Sequence, residues 1–346
     1  YKICFNDESR KLYFYDNEWC NVAVRKEVIK VRGGKDIEDE VLYTHHGPIV
    51  HVETRSSLFS SVPVDAALRW KAHDPSNELL AFIKLNRARN YEDYVDALFH
   101  FECPAQNFVF ASSSGDVAIW HNGKFPLRWV NQGCYLSDGS DPAFDWSEWI
   151  PHEHLPHVKN PDRGFVSSAN QEPADSSYPY YLDCSYVSFS RAARINEVLS
   201  SGNEFTPQDM IDLQNDVLYP VARLALPILL YLVSGEELNG IEQMVLNELN
   251  EWNYCYTTDE IGPSVFEKWW QVLREIIWKD DMRKEDIQLK IPSGDVTLKI
   301  MLSDPSCIYF DNKNTEKVET LKDMALESFK ICLLYTSDAA DEEDSV

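Results

Sequence analysis

The feature that most constrains the fold is a change in the spacing of apolar residues along the chain. Short alternating or β-branched runs predict strands over residues 11–15, 22–31 and 40–52, and a hairpin over residues 107–124. Apolar spacings of three and four take over from residue 190 and predict helices over residues 192–199, 206–233, 237–252 and 263–278. Strands followed by helices indicate an α+β or layered-sandwich class.

Local signals refine this pattern. The apolar spacing between residues 77 and 101 predicts two short helices. Asn90 is expected to cap the second one, because its side-chain oxygen can accept a hydrogen bond from a backbone N–H of the first turn. Pro220 is expected to interrupt the long helical stretch that precedes residue 233. A further strand is predicted over residues 164–170, and a further helix over residues 315–329.

The charge balance excludes one class of partner. The chain has 346 residues, with 32 Lys and Arg against 57 Asp and Glu, so its formal net charge is −25. Because phosphate contacts need clustered Lys and Arg, we expect no nucleic-acid partner. The richest apolar run, residues 224–233, contains Pro227 and is shorter than the roughly 18 residues that a membrane span needs. It predicts a buried helix, and no membrane span is expected.

The domain organisation is predicted to be simple. Residues 1–331 are expected to form part of a single domain, strand-rich over residues 1–190 and helix-rich over residues 191–331. Residues 332–346 resemble the conceptual translation of a sequencing adapter, so we expect this stretch to be non-native and set it aside. The eight cysteines show no CxxC spacing, which argues against a zinc ribbon and leaves their pairing open.

Five short strings point to a family. The strongest is PAQNFVFA at residues 104–111, followed by Gly-Asp-Val at residues 115–117. The others are YTHHGPI at 43–49, Leu-Arg-Trp at 68–70, Asn-Pro followed by GFVSSAN within 160–170, and ARINEVL at 193–199. In order and spacing, over about residues 1–235, these strings resemble the penicillin acylase family of N-terminal nucleophile hydrolases, specifically its large β chain.

The resemblance implies a fold and a reaction. The fold is a four-layer αββα sandwich of two antiparallel sheets between helices, incomplete in this chain, with a helical C-terminal part. In the family the precursor is cut autocatalytically, and the new N-terminal Ser attacks an amide carbonyl with its own α-amino group as base. An α-amine suits that role because its ordinary pKa, about 7.7 to 8.0, lets it accept a proton near neutral pH. No cofactor is required.

The resemblance also implies roles for four residues. Asn107 matches the side-chain amide that donates a hydrogen bond to the tetrahedral oxyanion. Arg194 matches an arginine beside the active site, although it could equally pair with Glu197 on its own helix. Asn170 matches a turn beside the site and is expected to contact substrate. Asp175 lies near a position that supplies a ligand to a structural calcium ion in some members.

Two groups of histidines resemble metal ligands and are expected to be structural. The imidazoles within residues 152–157 would bind Zn²⁺ only if the backbone presented them on one side, and the prolines at 151 and 156 exclude a regular helix there. His45 and His46 are adjacent on a predicted strand, where successive side chains point to opposite faces. They are therefore not expected to share a site.

Two motifs of the family β chain, Ser-Asn-x-Trp and a later Gly-His-Asn, do not occur in this sequence. We therefore expect a fragment that is inactive alone and lacks the nucleophile, the N-terminal part of the β chain and the α chain. The parent protein is expected to hydrolyse a small acylated amide, such as a β-lactam side chain or an acyl-homoserine lactone, in the periplasm or outside the cell.

Two alternatives remain. A catalytically silent relative would bind an acylated ligand or a partner chain without turnover, and a Ser-Asn-x-Trp motif directly upstream would separate the two cases. A secreted carbohydrate-binding or scaffold protein, suggested by the many Trp and Tyr residues, would need an exposed aromatic row and ranks last.

Overall fold

A computed structural model gives the fold and describes residues 1–50, 63–183, 185–202, 204–284 and 287–343. The end of the strand predicted over residues 40–52 lies outside the described residues, as does Cys184. The chain divides into two units, Tyr1–Val187 and Ser188–Val346. Most strands belong to the first unit and most helices to the second, which confirms the predicted α+β class.

The first unit begins with two small antiparallel sheets. Strands β1 (Leu12–Tyr15) and β2 (Glu18–Asn21) form a hairpin. Its turn residues, Asp16 and Asn17, have φ of 50° and 65°, the left-handed values that a tight hairpin turn requires. Strands β3 (Ala23–Ile29), β4 (Ile37–Thr44) and β5 (Gly47–Pro48) form the second sheet in that order.

The adjacent histidines His45 and His46 do not lie on a strand. Strand β4 ends at Thr44 and β5 begins at Gly47, so both histidines occupy the turn between them. The alternation of faces applies only within a strand. In the turn the two rings lie side by side, with their centroids 3.8 Å apart. The prediction that their side chains diverge was therefore wrong.

Two short helices follow, as predicted. They are α1 (Glu78–Leu85) and α2 (Tyr91–Leu98). The side-chain oxygen of Asn90 accepts a hydrogen bond from the backbone N–H of Asp93 at 2.8 Å, which confirms Asn90 as the cap of α2. Tyr94 and Leu98 are buried on the inner face of this helix.

A three-stranded sheet completes the first unit. Strands β6 (Gln106–Ala111), β7 (Val117–Asn122) and β8 (His157–Lys159) are antiparallel and lie in that order. The predicted hairpin over residues 107–124 is thus confirmed. Phe108 and Trp120 pack with α2 on one face of the sheet.

The strand predicted over residues 164–170 was wrong. The position beside β7 is taken by β8, where Val158 pairs with Ile119. Residues 164–170 form no strand, and the segment ends at Asn170, whose φ is 64°. An apolar run alone could not tell which of two nearby segments would occupy that edge.

The second unit is helical. Its helices are α3 (Ser190–Ser201), α4 (Pro207–Gln214), α5 (Pro220–Val233), α6 (Gly240–Glu251), α7 (Gly262–Met282), α8 (Gly294–Ser303) and α9 (Leu321–Glu343), with a small hairpin of β9 (Arg283–Lys284) and β10 (Ile287–Gln288). Pro220 opens α5 after a break, as predicted. Helix α8 was not predicted, because its apolar run is short.

Helices α5, α7 and α9 share the core of this unit, which includes Leu226, Phe266, Trp269, Leu273 and Phe329. The Trp269 Nε1–H donates to Ser328 Oγ at 3.0 Å, so the buried indole nitrogen is satisfied. Helix α9 begins later than the predicted helix over 315–329 and continues past Cys332, which is itself buried. The non-native origin of residues 332–346 stays a prediction.

Two further observations concern the described part of the chain as a whole. No helix there combines the length and the apolarity that crossing a bilayer requires. Cys134 is disulfide-bonded, and the six other described cysteines carry free thiols.

A charged network joins α3 to the start of α5. Arg194 donates to Asp216 Oδ2 from Nη2 at 2.7 Å, and its Nη1 lies 3.2 Å from Glu197 Oε2. Arg223 donates to both carboxylate oxygens of Glu197 at 2.8 Å. The hydrogen bond from Arg194 lowers the pKa of Asp216, and the hydrogen bonds from Arg223 and then Arg194 lower the pKa of Glu197 to about 2.

The Asn90 cap gives a stability prediction. Asn90→Ala removes the acceptor for the Asp93 N–H and is expected to lower the free energy of unfolding by about 1 kcal/mol. Asn90→Ser is the matched control, because a serine hydroxyl can still accept the hydrogen bond from the Asp93 N–H and ranks with asparagine as an N-cap. Urea unfolding of the two variants measures the difference. Equal losses in both variants would show that the hydrogen bond contributes nothing.

The Arg194 network predicts a pH dependence. Carboxyl groups whose folded pKa is depressed stabilise the fold above their unfolded pKa, near 4, and this stabilisation is lost as the pH falls towards 2. Arg194→Met should lower the free energy of unfolding by about 1 to 3 kcal/mol at pH 7, because the ion pair of Arg194 with Asp216 is largely shielded from water. The difference from wild type should shrink in urea titrations between pH 4.5 and pH 2.5.

The control for this experiment is Arg25→Met, which removes an exposed pair with Glu27 on β3. We expect a change within about 0.5 kcal/mol at every pH. An Arg194→Met effect that does not vary with pH would indicate lost packing rather than lost charge pairing.

Candidate active site

Asn107 on β6 lies directly opposite His121 on β7. The Nδ1 of His121 and the Oδ1 of Asn107 are 2.9 Å apart, and Asn107 Nδ2 donates to Ser168 Oγ at 2.7 Å. An amide oxygen can only accept, so the proton of His121 sits on Nδ1 and is donated to Asn107. The amide is thereby fixed with its oxygen towards His121 and its nitrogen towards Ser168.

This orientation leaves Asn107 with donor capacity. An amide nitrogen carries two hydrogens, and the Ser168 hydroxyl accepts one of them. The second can donate to another acceptor. A neutral donor fixed before the reaction begins is the kind of group that stabilises negative charge on a tetrahedral intermediate.

His121 is kept neutral by its surroundings. Burial lowers its pKa below the usual value of 6.5. Its ring stacks on Phe125, with centroids 5.0 Å apart. At pH 7 the ring therefore carries a single proton, which the contact with Asn107 places on Nδ1, and it does not add a positive charge to the site.

Asn107 lines a cavity of about 580 Å³ in the first unit. Its lining is polar near the sheet, where Asn107, His121 and Ser168 lie, and includes the apolar side chains of Ile119, Val158 and Tyr178. This volume lies within the range of small-molecule sites. The cavity can therefore hold a small ligand whose polar group lies against Asn107.

The two other site residues predicted in the first unit, Asn170 and Asp175, differ in whether they line this cavity. Asn170 is exposed, has a φ of 64°, and is not part of the lining of this cavity. Asp175 does line the cavity, and hydrogen bonds from the hydroxyl and backbone N–H of Ser177 lower its pKa. Within the described residues, Asp175 belongs to no group of three side chains that could hold a metal ion.

The histidines within residues 152–157 are engaged in packing. The rings of His152 and His157 both stack on the buried indole of Trp120, with centroids 4.9 and 4.0 Å away. His152 Nε2 contacts Asn122 Oδ1 at 2.8 Å, and His154 Nδ1 contacts the Tyr180 hydroxyl at 2.7 Å. These contacts agree with the structural role expected from the sequence.

Arg194 belongs to the second unit and lines a separate cavity of about 380 Å³ there. Its guanidinium donates to Asp216 and also lies against Glu197, the partner that the sequence offered. The pairing with Glu197 on the same helix is thus observed. Whether Arg194 also serves an active site stays a prediction.

Sequence reasoning missed His121 and Ser168 as the partners of Asn107. A signal for His121 was present in the predicted hairpin. Once Ala111 is opposite Val117 across the turn, counting four residues outward along each strand places Asn107 opposite His121. Ser168 gave no such signal, because it lies outside the described strands and 61 residues further along the chain than Asn107.

Comparison with known proteins gives the family. The sequence profile of the penicillin amidase family matches residues 1–344. The acyl-homoserine lactone acylase QuiP of Pseudomonas fluorescens is 30% identical over 210 residues, which is 60% of this chain and 26% of that protein. Penicillin acylase 2 proenzyme of Pseudomonas sp. is 29% identical over 220 residues, 62% of this chain and 27% of that protein.

Penicillin G acylase of Escherichia coli is 22% identical over 287 residues, 81% of this chain and 32% of that protein. The chain therefore spans between about a quarter and a third of the length of these relatives. Among solved structures, the thermostable penicillin G acylase of Alcaligenes faecalis matches with a TM-score of 0.73 at 18% identity, over 98% of this chain and 64% of that one.

This structural likeness confirms the predicted N-terminal nucleophile hydrolase fold, and the profile match covers nearly every residue. The chain belongs to the penicillin amidase family.

Proposed function

We propose that the protein containing this chain hydrolyses an acyl amide, with Asn107 as a donor to the oxyanion. The observation that carries the proposal is the fixed amide of Asn107, held by His121 and Ser168 at the wall of a cavity. When an amide carbonyl is attacked, its oxygen gains negative charge, and a pre-oriented N–H stabilises that charge without reorganising.

The nucleophile in this proposal is the N-terminal serine expected from the family resemblance, supplied by a part of the protein outside this chain. Its hydroxyl oxygen bonds to the amide carbonyl carbon, and its proton passes through the α-amino group to the leaving amine as the C–N bond breaks. Water then attacks the acyl ester and releases the carboxylic acid, which restores the serine. The role of the chain described here is to orient the carbonyl and stabilise its charge.

The substrate class follows from the same site. Ile119 and Val158 contribute apolar side chains to the lining of the cavity that also contains Asn107. An apolar lining of this kind suits an acyl chain. Relatives named as acyl-homoserine lactone acylases and penicillin acylases support two acyl amides as probes: an N-acyl-homoserine lactone and a phenylacetyl amide.

Several parts of the proposal rest on the family resemblance alone. These are a positioning role for Arg194, a substrate contact by Asn170, a calcium ion bound with the help of Asp175, an α chain as partner, and export to the periplasm or beyond. Asp175 would need further oxygen ligands, because a calcium ion takes six to eight.

Asn107→Ala tests the oxyanion role in the full-length protein. We expect the kcat for either probe to fall about 10²- to 10³-fold with little change in KM, because the lost hydrogen bond strengthens only as charge develops. Initial rates are normalised to the cleaved chain seen on a denaturing gel, so that a processing defect is scored separately.

The control is Gln106→Ala, the neighbouring exposed amide on the same strand, which should keep the wild-type kcat. Wild-type kcat in processed Asn107→Ala would refute the oxyanion role. A processed wild-type protein that releases no acid from either probe would instead support the silent, ligand-binding alternative.

His121→Ala tests the positioning of that amide. Removing the Nδ1–H donor frees the Asn107 side chain to rotate, and we expect kcat to fall about tenfold with KM unchanged. The double variant with Asn107→Ala should be no slower than Asn107→Ala alone, because the two residues act as one unit. Additive losses would show that His121 acts independently of Asn107.

A further inference from the structure

Three side chains of the first unit converge outside the cavity described above. His45 and His46 come from the turn between β4 and β5, and Asp145 follows a short 3₁₀ turn at Pro142–Phe144. The Oδ1 of Asp145 lies 3.7 Å from His45 Nε2 and 3.6 Å from His46 Nδ1. All three atoms lie within 4.8 Å of one another.

Each of these side chains is held from its outer side. His46 Nε2 donates to the Gly139 carbonyl at 3.0 Å. His45 Nδ1 lies 3.0 Å from the Tyr13 hydroxyl, and the Tyr15 hydroxyl donates to Asp145 Oδ2. Outer hydrogen bonds of this kind orient imidazole and carboxylate groups in protein metal sites.

The inner atoms, in contrast, face each other without a shared hydrogen. Asp145 Oδ1 is buried and has no hydrogen-bond partner within the part of the chain that the structure describes. His46 is 2% exposed, and the Gly139 carbonyl accepts the hydrogen on its Nε2. Because Nε2 carries the proton, Nδ1 presents a lone pair to the carboxylate.

Two acceptors that face each other in a buried place repel, and a buried oxygen without a partner is costly. The Nε2 of His45 does not satisfy Asp145 Oδ1, because their separation of 3.7 Å is too long for a hydrogen bond. A positive ion between the three atoms would satisfy all of them at once. The outer contact of His45 is compatible with this, since its Nδ1–H can donate to the Tyr13 hydroxyl and leave Nε2 bare.

We propose that His45, His46 and Asp145 form a binding site for a divalent transition-metal ion, with Zn²⁺ as the ion that fits best. Two imidazoles and one carboxylate are ligands that Zn²⁺ takes in proteins. Ligands at about 2.1 Å from a tetrahedral ion lie roughly 3.4 Å apart, close to the two measured nitrogen–oxygen distances.

The surroundings would hold the ligand rings and leave one coordination position open. The ring of Tyr1 stacks on the ring of His46, with centroids 3.9 Å apart. The rings of Tyr15 and His45 have centroids 4.0 Å apart. The His45 side chain is 34% exposed, so water can reach the ion and supply the fourth ligand. The bound ion would tie the β4–β5 turn to the segment that carries Asp145.

Zinc binding to the chain, first stripped of metal by a chelator, tests this proposal. Isothermal titration with ZnCl₂ at pH 7.5 should show one equivalent bound with a Kd in the micromolar range or tighter. Asp145→Asn, which preserves shape, and His45→Ala, which changes an exposed ligand, should each weaken binding at least about 100-fold. Circular dichroism confirms that both variants fold, and Co²⁺ substituted for Zn²⁺ should give tetrahedral absorption bands.

The control is His154→Ala, an exposed histidine of the other histidine-rich segment, which should bind zinc as wild type does. Binding that is lost in His154→Ala and kept in His45→Ala would move the site to that segment and overturn the proposal. The proposal also fails if the chain binds no zinc below 1 mM, or if Asp145→Asn binds it as tightly as wild type.

Discussion

The antiparallel register between β6 and β7 is the constraint on which the candidate site depends. Because side chains alternate across a strand, the pairing of Ala111 with Val117 decides which residues face the core and which face the cavity. In the observed register Phe108 and Trp120 are packed with α2, while Asn107 and His121 meet on the other side. A slip of one residue would bury the amide and expose the indole.

The core on one face therefore protects the polar pair on the other. The rings of His152 and His157 both stack on Trp120, and its Nε1–H donates to the Tyr91 hydroxyl at 2.9 Å. These contacts link β7 to α2 and to the segment before β8. Buried aromatic packing of this kind makes a register slip expensive, because every contact would have to be exchanged at once.

Local signals in the sequence predicted a large part of this arrangement. The Asn90 cap, the break at Pro220 and the hairpin after Asn107 are each decided by residues close in sequence, and each was confirmed. Errors arose where a distant segment decides the outcome. Either β8 or the run at residues 164–170 could have paired with β7, and no short-range pattern in the sequence shows which of them does.

The two histidines of the β4–β5 turn illustrate a different limit. Their placement required the end of β4 to be known to the residue, and element boundaries are the least certain part of any sequence-based prediction. The site residues show the same division. Asn107 could be placed from its motif and its hairpin, whereas its contact with Ser168 depends on a segment outside the described strands and far along the chain.

The hydrogen bonds around Asn107 also run in a single direction. His121 gives a proton to the amide oxygen, and the amide nitrogen gives one to Ser168. Each donation draws electron density towards the oxygen that receives it, so the amide of Asn107 is more strongly polarised than an isolated one. The polarised amide lines the cavity, so its remaining hydrogen is a stronger donor there than the hydrogen of an isolated amide.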